Sequence, residues 1–234
     1  MGEGARQLVL DLPLEPRFGE EDFLVSASNA LAHGAVTRWP DWPTSFLHLE
    51  GPPGSGKSHL ASIWAERAGA PRRHARSVAA DQVPDLTAGR ALALEDLDRG
   101  PLQEAALFHL VNLARERGLS VLFTSAAAIE RCGIGTPDLS SRLRLAHSVR
   151  LGPPDDALVR AVLVKLFADR QLAVDAGVVE YVATRIERSL ERAVAVVADL
   201  DREALSRGRR ITRFIAADVL ARGAEGGDDA DSPS

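Results

Sequence analysis

Eight consecutive residues constrain this chain of 234 residues more than any others: Gly51, Pro52, Pro53, Gly54, Ser55, Gly56, Lys57 and Ser58. They fit GxxxxGK[ST] at every fixed position, the pattern of a phosphate-binding P-loop. The glycines let the backbone curl so that successive N–H groups point inward at phosphate oxygens. The positive end of a following helix adds to that attraction. Read this way, Lys57 reaches the β- and γ-phosphates, Ser58 ligates Mg²⁺, and His59 joins the nucleotide-binding residues. The motif requires a strand before it and a helix after it. The flanks supply both, an apolar run over 45–50 and a helical stretch over 57–68.

A P-loop also needs an acid on a neighbouring strand to hold the metal's water shell. The segment 91–96 is the one apolar strand ending in adjacent carboxylates, Glu95 and Asp96. Glu95 stands where aspartate is the commoner residue and is one methylene longer, so its hold on Mg²⁺ through water has an altered geometry. Asp96 is the candidate to orient an attacking water. This exchange leaves nucleotide binding expected and weakens the case for hydrolysis. Thr124, closing the strand 119–125, places a hydroxyl beside the γ-phosphate. Arg142 follows a Pro-Asp turn, and either faces solvent or reaches the phosphate of a neighbouring subunit.

Composition narrows the classes. With 45% hydrophobic residues the chain can bury a core, and a net charge of −5 gives no overall basic field to draw it onto DNA. Cys132 is the only cysteine, which excludes an intramolecular disulfide and a CxxC metal site. The six histidines show no HExxH spacing. Of 28 basic residues only Lys57 and Lys165 are lysine, which makes the loop lysine stand out. No apolar run reaches the roughly 18 residues of a membrane span and no signal-peptide pattern opens the chain, so a cytoplasmic protein without membrane contact is expected.

Along the chain, residues 1–20 read as an extended arm. A helix is expected over 26–38, with Ser26 or Ser28 as its cap. A short strand is expected over 75–78, a helix from Pro101 to Arg117, and a last strand over 146–151. Strands alternating with helices give an α/β domain, 21–152, whose parallel sheet is flanked by helices on both faces. After Pro154 four helical stretches follow without a strand (155–170, 175–187, 189–207 and 212–221), a small all-α lid domain over 153–222. The tail, 223–234, is acidic, poor in apolar residues and expected to be disordered.

Strand, P-loop, acidic strand, Thr/Ser strand, Ser-Arg and an all-α lid form a layout that resembles the AAA+ ATPases. Residues 23–32 resemble the adenine-side segment of the replication initiator DnaA, which implies nucleotide contacts for Phe23 and Asn29. Residues 136–143 are similar to the arginine-finger box of its relatives. The lid, through 199–204 and 210–214, is most similar to the Hda type of DnaA homologue, which carries out regulatory inactivation of DnaA. The resemblance spans about residues 6–221. It implies ADP or ATP with Mg²⁺ as ligand, DnaA as partner, and Arg142 as an arginine finger acting in trans. Gln7, Leu8, Leu10 and Leu12 resemble the motif that docks on the β sliding clamp of DNA polymerase III, an extended arm filling an apolar groove. DNA would then be met mainly through the clamp, and self-association stays open. The chain stops after the lid, so an origin-binding helix-turn-helix domain is not expected. One departure stands out: Glu191 occupies the lid position where the family has its nucleotide-contacting arginine, leaving Arg192 as the candidate, with Arg188 nearby. The competing readings are an autonomous DnaA-like or helicase-loader-like ATPase, and a nucleotide-binding paralogue without the DnaA role.

Overall fold

The computed structural model describes residues 19–225. The clamp-motif residues Gln7, Leu8, Leu10 and Leu12 lie outside them, as does the tail from 226 on.

Five strands form one all-parallel sheet in the order β2-β3-β4-β1-β5: β1 (Phe46–Glu50), β2 (Arg72–His74), β3 (Ala91–Glu95), β4 (Ser120–Ser125) and β5 (His147–Arg150). Alternate residues of a strand point to opposite faces, and both faces are apolar here. Leu47, Leu49, Ala91, Ala93 and Leu122 pack with Leu60, Ile63 and Trp64 of α2 (Lys57–Ala68), beside α1 (Ala30–Thr37). Phe46, Leu92, Leu94, Val121 and Phe123 pack on the other side with Leu107, Leu110 and Val111 of α4 (Glu104–Glu116), together with α3 (Val83–Leu86) and α5 (Pro137–Leu143). Covering both faces is what a parallel sheet requires, since its crossovers lay helices on each side. The expected α/β class and its two-faced parallel sheet are the observed ones.

The remaining helices are α6 (Asp156–Asp169), α7 (Ala176–Ala183), α8 (Leu190–Arg207) and α9 (Arg213–Glu225). They enclose a core of their own that includes Leu163, Phe167, Val182, Val197 and Ile215. Asp155 caps α6 by accepting from Leu158 N at 2.8 Å, and Ser189 caps α8 by accepting from Arg192 N at 3.2 Å. Helix α9 runs to Glu225, past the expected end of the lid at 222.

Three local expectations need correction. The strand placed over 75–78 is instead Arg72–His74, and Ala75–Ser77 form a 3₁₀ turn. Ala75 and Val78 are apolar because they plug the core from that turn, while the exposed, charged β2 is an edge strand of the kind that resists further pairing. The helix expected from Pro101 begins at Glu104, because Leu102 first packs against the core and sets the entry. Neither Ser26 nor Ser28 caps α1. Asn29 stands at that position, its side chain accepting from Ser26 N at 2.8 Å and donating to Leu24 O at 3.0 Å.

Candidate phosphate-binding site

The loop between β1 and α2 lies at the carboxyl end of the sheet, where α/β folds present ligands. Gly51 N donates to Ser125 O at 3.2 Å, which fixes the start of the loop to the end of β4. A Cβ at position 51 would sit 2.8 Å from Leu151 O, so only glycine passes there. Gly54 and Gly56 have φ of +69° and +99°, the left-handed region that turns peptide N–H groups inward. Ser55 Oγ is buried without a partner among the described residues. An orphan donor inside a curled loop is what an anion-binding cradle offers. The expected helix over 57–68 is present with those limits.

Lys57 Nζ donates to Gly51 O at 2.6 Å and to Pro52 O at 2.9 Å. Burial pushes this ammonium below its usual range, opposed first by the charge of Asp98 and then by that of Asp96. Ser58 is exposed on the first turn of α2. His59 donates from Nε2 to Gly19 O at 3.0 Å, and burial lowers its pKa, favouring the neutral ring. Phe23 is buried, with its ring stacked on His33 at 5.5 Å and edge-on to His59 at 5.1 Å. A Cβ on Gly56 would lie 3.6 Å from Phe23 Cε2. Phe23 and His59 thus meet beside the loop, while the Asn29 side chain is engaged with Ser26 and Leu24.

The acidic end of β3 differs from expectation. Glu95 is buried, and its Oε1 accepts from Arg72 Nε at 3.0 Å and Nη2 at 2.7 Å. Asp96 adopts φ +61°; its N–H donates to Thr124 Oγ1 at 3.0 Å, and its Oδ2 meets His74 Nδ1 at 3.0 Å. Both carboxylates assigned from sequence are therefore engaged by side chains of β2, the Arg72 guanidinium and the His74 imidazole. The Thr124 hydroxyl fixes the turn of Asp96. A third acid, Asp98, lies outside the adjacent pair that the sequence singles out. Its Oδ2 accepts from Ala126 N at 2.8 Å, while its Oδ1 is buried with no partner among the described residues. Its position three residues beyond Glu95 was the available signal.

The lid closes on the loop. Leu190 N donates to Gly54 O at 2.9 Å, and a Cβ at position 54 would fall 2.0 Å from Ser189 Oγ. Glu191, on the first turn of α8, is the smallest of the charges that bear on Lys57. Arg188 pairs instead with Asp156 at 2.9 Å. Arg142, half-buried on α5, lies over the ring of Phe108 with 5.0 Å to its centroid and has no carboxylate at ion-pair distance among the described residues.

No family model matches the chain. It is 26% identical over 255 residues to the chromosomal replication initiator protein DnaA of Thermomicrobium roseum, covering 95% of this chain and 54% of that one. Domain III of the Thermotoga maritima replication initiation protein DnaA superposes with a TM-score of 0.78 at 18% identity, over 90% of this chain and 98% of that one. The fold is that of a DnaA-like AAA+ domain. The AMPPCP-bound DnaA of Aquifex aeolicus gives a TM-score of 0.69 at 16% identity, covering 92% and 71% of the two chains. The chain spans about half the length of the curated relative it matches. Among the described residues no helix is long and apolar enough to cross a membrane.

Proposed function

We propose that this chain is a nucleotide-binding regulator of replication initiation that acts on DnaA in trans, in the manner of the Hda type. ADP or ATP would sit in the loop 51–58, its phosphates meeting the backbone N–H groups of Gly54 to Lys57. Lys57 would exchange two carbonyl acceptors for phosphate oxygens, and Phe23, Asn29 and His59 would flank the base. Mg²⁺, when bound with the nucleotide, neutralises phosphate charge. Ser58 is exposed on the turn where it would hold the ion, so that part of the donor set fits. Arg192, half-buried beside the exposed Glu191 on the first turn of α8, would contact the nucleotide from the lid.

One observation carries the regulatory reading. The carboxylates that own-turnover chemistry would use, Glu95 and Asp96, are held by Arg72 and His74, whereas Arg142 has no acidic partner among the described residues. An arginine resting on an aromatic ring is ordered but not neutralised. It can swing to a partner's γ-phosphate, where such a charge accelerates hydrolysis by about 10³- to 10⁵-fold. Clamp docking through Gln7, Leu8, Leu10 and Leu12 would bring the chain to DNA and to DnaA in the cytoplasm.

The test is ATP-loaded DnaA mixed with this chain, β clamp and DNA. Accelerated hydrolysis that is lost with Arg142→Ala, and reduced with Gln7→Ala/Leu10→Ala, supports the reading. Fast hydrolysis by the isolated chain, abolished by Asp96→Asn, would replace it with an autonomous ATPase. Binding of nucleotide without any effect on DnaA would leave a paralogue lacking the DnaA role.

A further inference from the structure

Three acids follow one another at the exit of β3, and their surroundings sort them. Glu95 receives two hydrogen bonds from the Arg72 guanidinium, and Asp96 faces His74 at 3.0 Å and Arg99 at 3.7 Å. Each has its charge answered from within the chain. Asp98 has no cation at ion-pair distance among the described residues, and its Oδ1 is shut away from water without a hydrogen-bond partner. A carboxylate oxygen left unpaired and dry costs a few kcal/mol unless a ligand, ion or water completes it.

Its place in the fold names that ligand. Asp98 Oδ2 accepts from Ala126 N, and the preceding residue, Ser125, accepts through its carbonyl from Gly51 N. One peptide unit thus separates the anchor of Asp98 from the anchor of the phosphate loop. Asp98 is also the carboxylate that most strongly opposes the lowering of Lys57. With the anion cradle on one side and an unanswered carboxylate on the other, the missing charge between them is a cation.

We propose that Asp98, not Glu95, is the carboxylate that faces the divalent cation accompanying a bound nucleotide. Arg72 has withdrawn Glu95 from that role by neutralising it from the edge strand. The proposal rests on the nucleotide-binding reading of the loop. It leaves the identity of the nucleotide and the DnaA role untouched.

The experiment titrates fluorescent mant-ADP into the full chain with EDTA or with Mg²⁺, for wild type, Asp98→Asn and Glu95→Gln. An asparagine at 98 can still accept from Ala126 N through its amide oxygen, so the turn is retained, and thermal melts verify the fold. With EDTA, Asp98→Asn should bind mant-ADP about two- to fivefold more tightly, because one negative charge near the phosphates is gone. With Mg²⁺ it should bind about tenfold more weakly than wild type, so that the gain from the metal collapses. Glu95→Gln should lose less of that gain, by about threefold at most. An undiminished Mg²⁺ gain in Asp98→Asn overturns the proposal. So does equal weakening with and without metal, the mark of a structural role, or a greater loss in Glu95→Gln. Wild type that fails to bind mant-ADP at all overturns the nucleotide reading itself, a different result from the other three.

Discussion

The two sides of the candidate site are built by different means. The phosphate loop is made almost wholly by contiguous residues: glycines at φ +69° and +99°, a lysine, and a helix that starts at Lys57. The acidic side is made by neighbours. Arg72 and His74 on β2, Thr124 and Ala126 at the end of β4, decide which of Glu95, Asp96 and Asp98 keeps a free charge. A contiguous motif carries its geometry with it. A carboxylate's role depends on what the next strand places beside it, because its charge is worth something to a ligand only if no guanidinium has already taken it.

Substitutions can break this contrast from either side. The largest effect is expected on the loop: Gly54→Val adds a side chain at φ +69°, where a Cβ would fall 2.0 Å from Ser189 Oγ. Nucleotide affinity should fall on the order of 100-fold, read by mant-ADP titration. Wild-type affinity in this variant would mean the lid does not press on the loop. Next comes the neighbour-built side. Arg72→Met strands a Glu95 side chain that is 6% exposed, at a cost of about 1–3 kcal/mol. The upper part of the usual range for broken buried pairs is not reached, since the Arg72 side chain is 37% exposed and partly screened. Urea melts measure it, and the double variant Arg72→Met/Glu95→Met should recover more than half. No recovery would mean the pair is not the source of the loss.

Smaller effects test the caps that hold the lid. Ser189→Ala removes the cap of α8 and should cost about 1 kcal/mol, seen as a drop of a few degrees in Tm. The Asp155 cap of α6 adds a pH signature. Hydrogen bonding, first from Leu158 N, holds this carboxyl below its ordinary range. A carboxylate depressed in the folded state contributes its stability above the ordinary value and loses it as pH falls through the lowered one. Asp155→Ala should therefore be about 0.5–1 kcal/mol less stable near pH 7, and the gap should close in acid. A gap that persists well below the carboxylate range would refute the charged cap.

Much of this was legible in the sequence. The loop 51–58, the helix 57–68, the two-faced parallel sheet and the four lid helices follow from local pattern, since strand and helix periods and glycine spacing are written along the chain. Strand β2 was misplaced by three residues because an exposed edge strand has no apolar signature, while the apolar Ala75 and Val78 fill the core from a turn. Adjacency in the sequence singles out Glu95 and Asp96 over Asp98, and nothing in their order reveals Arg72.

The sequence by itself determined the glycine loop between strand and helix and the fold class, because each depends on residues close together along the chain. Only the tertiary structure decided which acid meets a guanidinium, that the lid bonds to Gly54, and that Arg142 lies on Phe108 with no acidic partner among the described residues. Those outcomes depend on strand order and packing, which bring together residues 23 to 136 positions apart, and no local pattern encodes them.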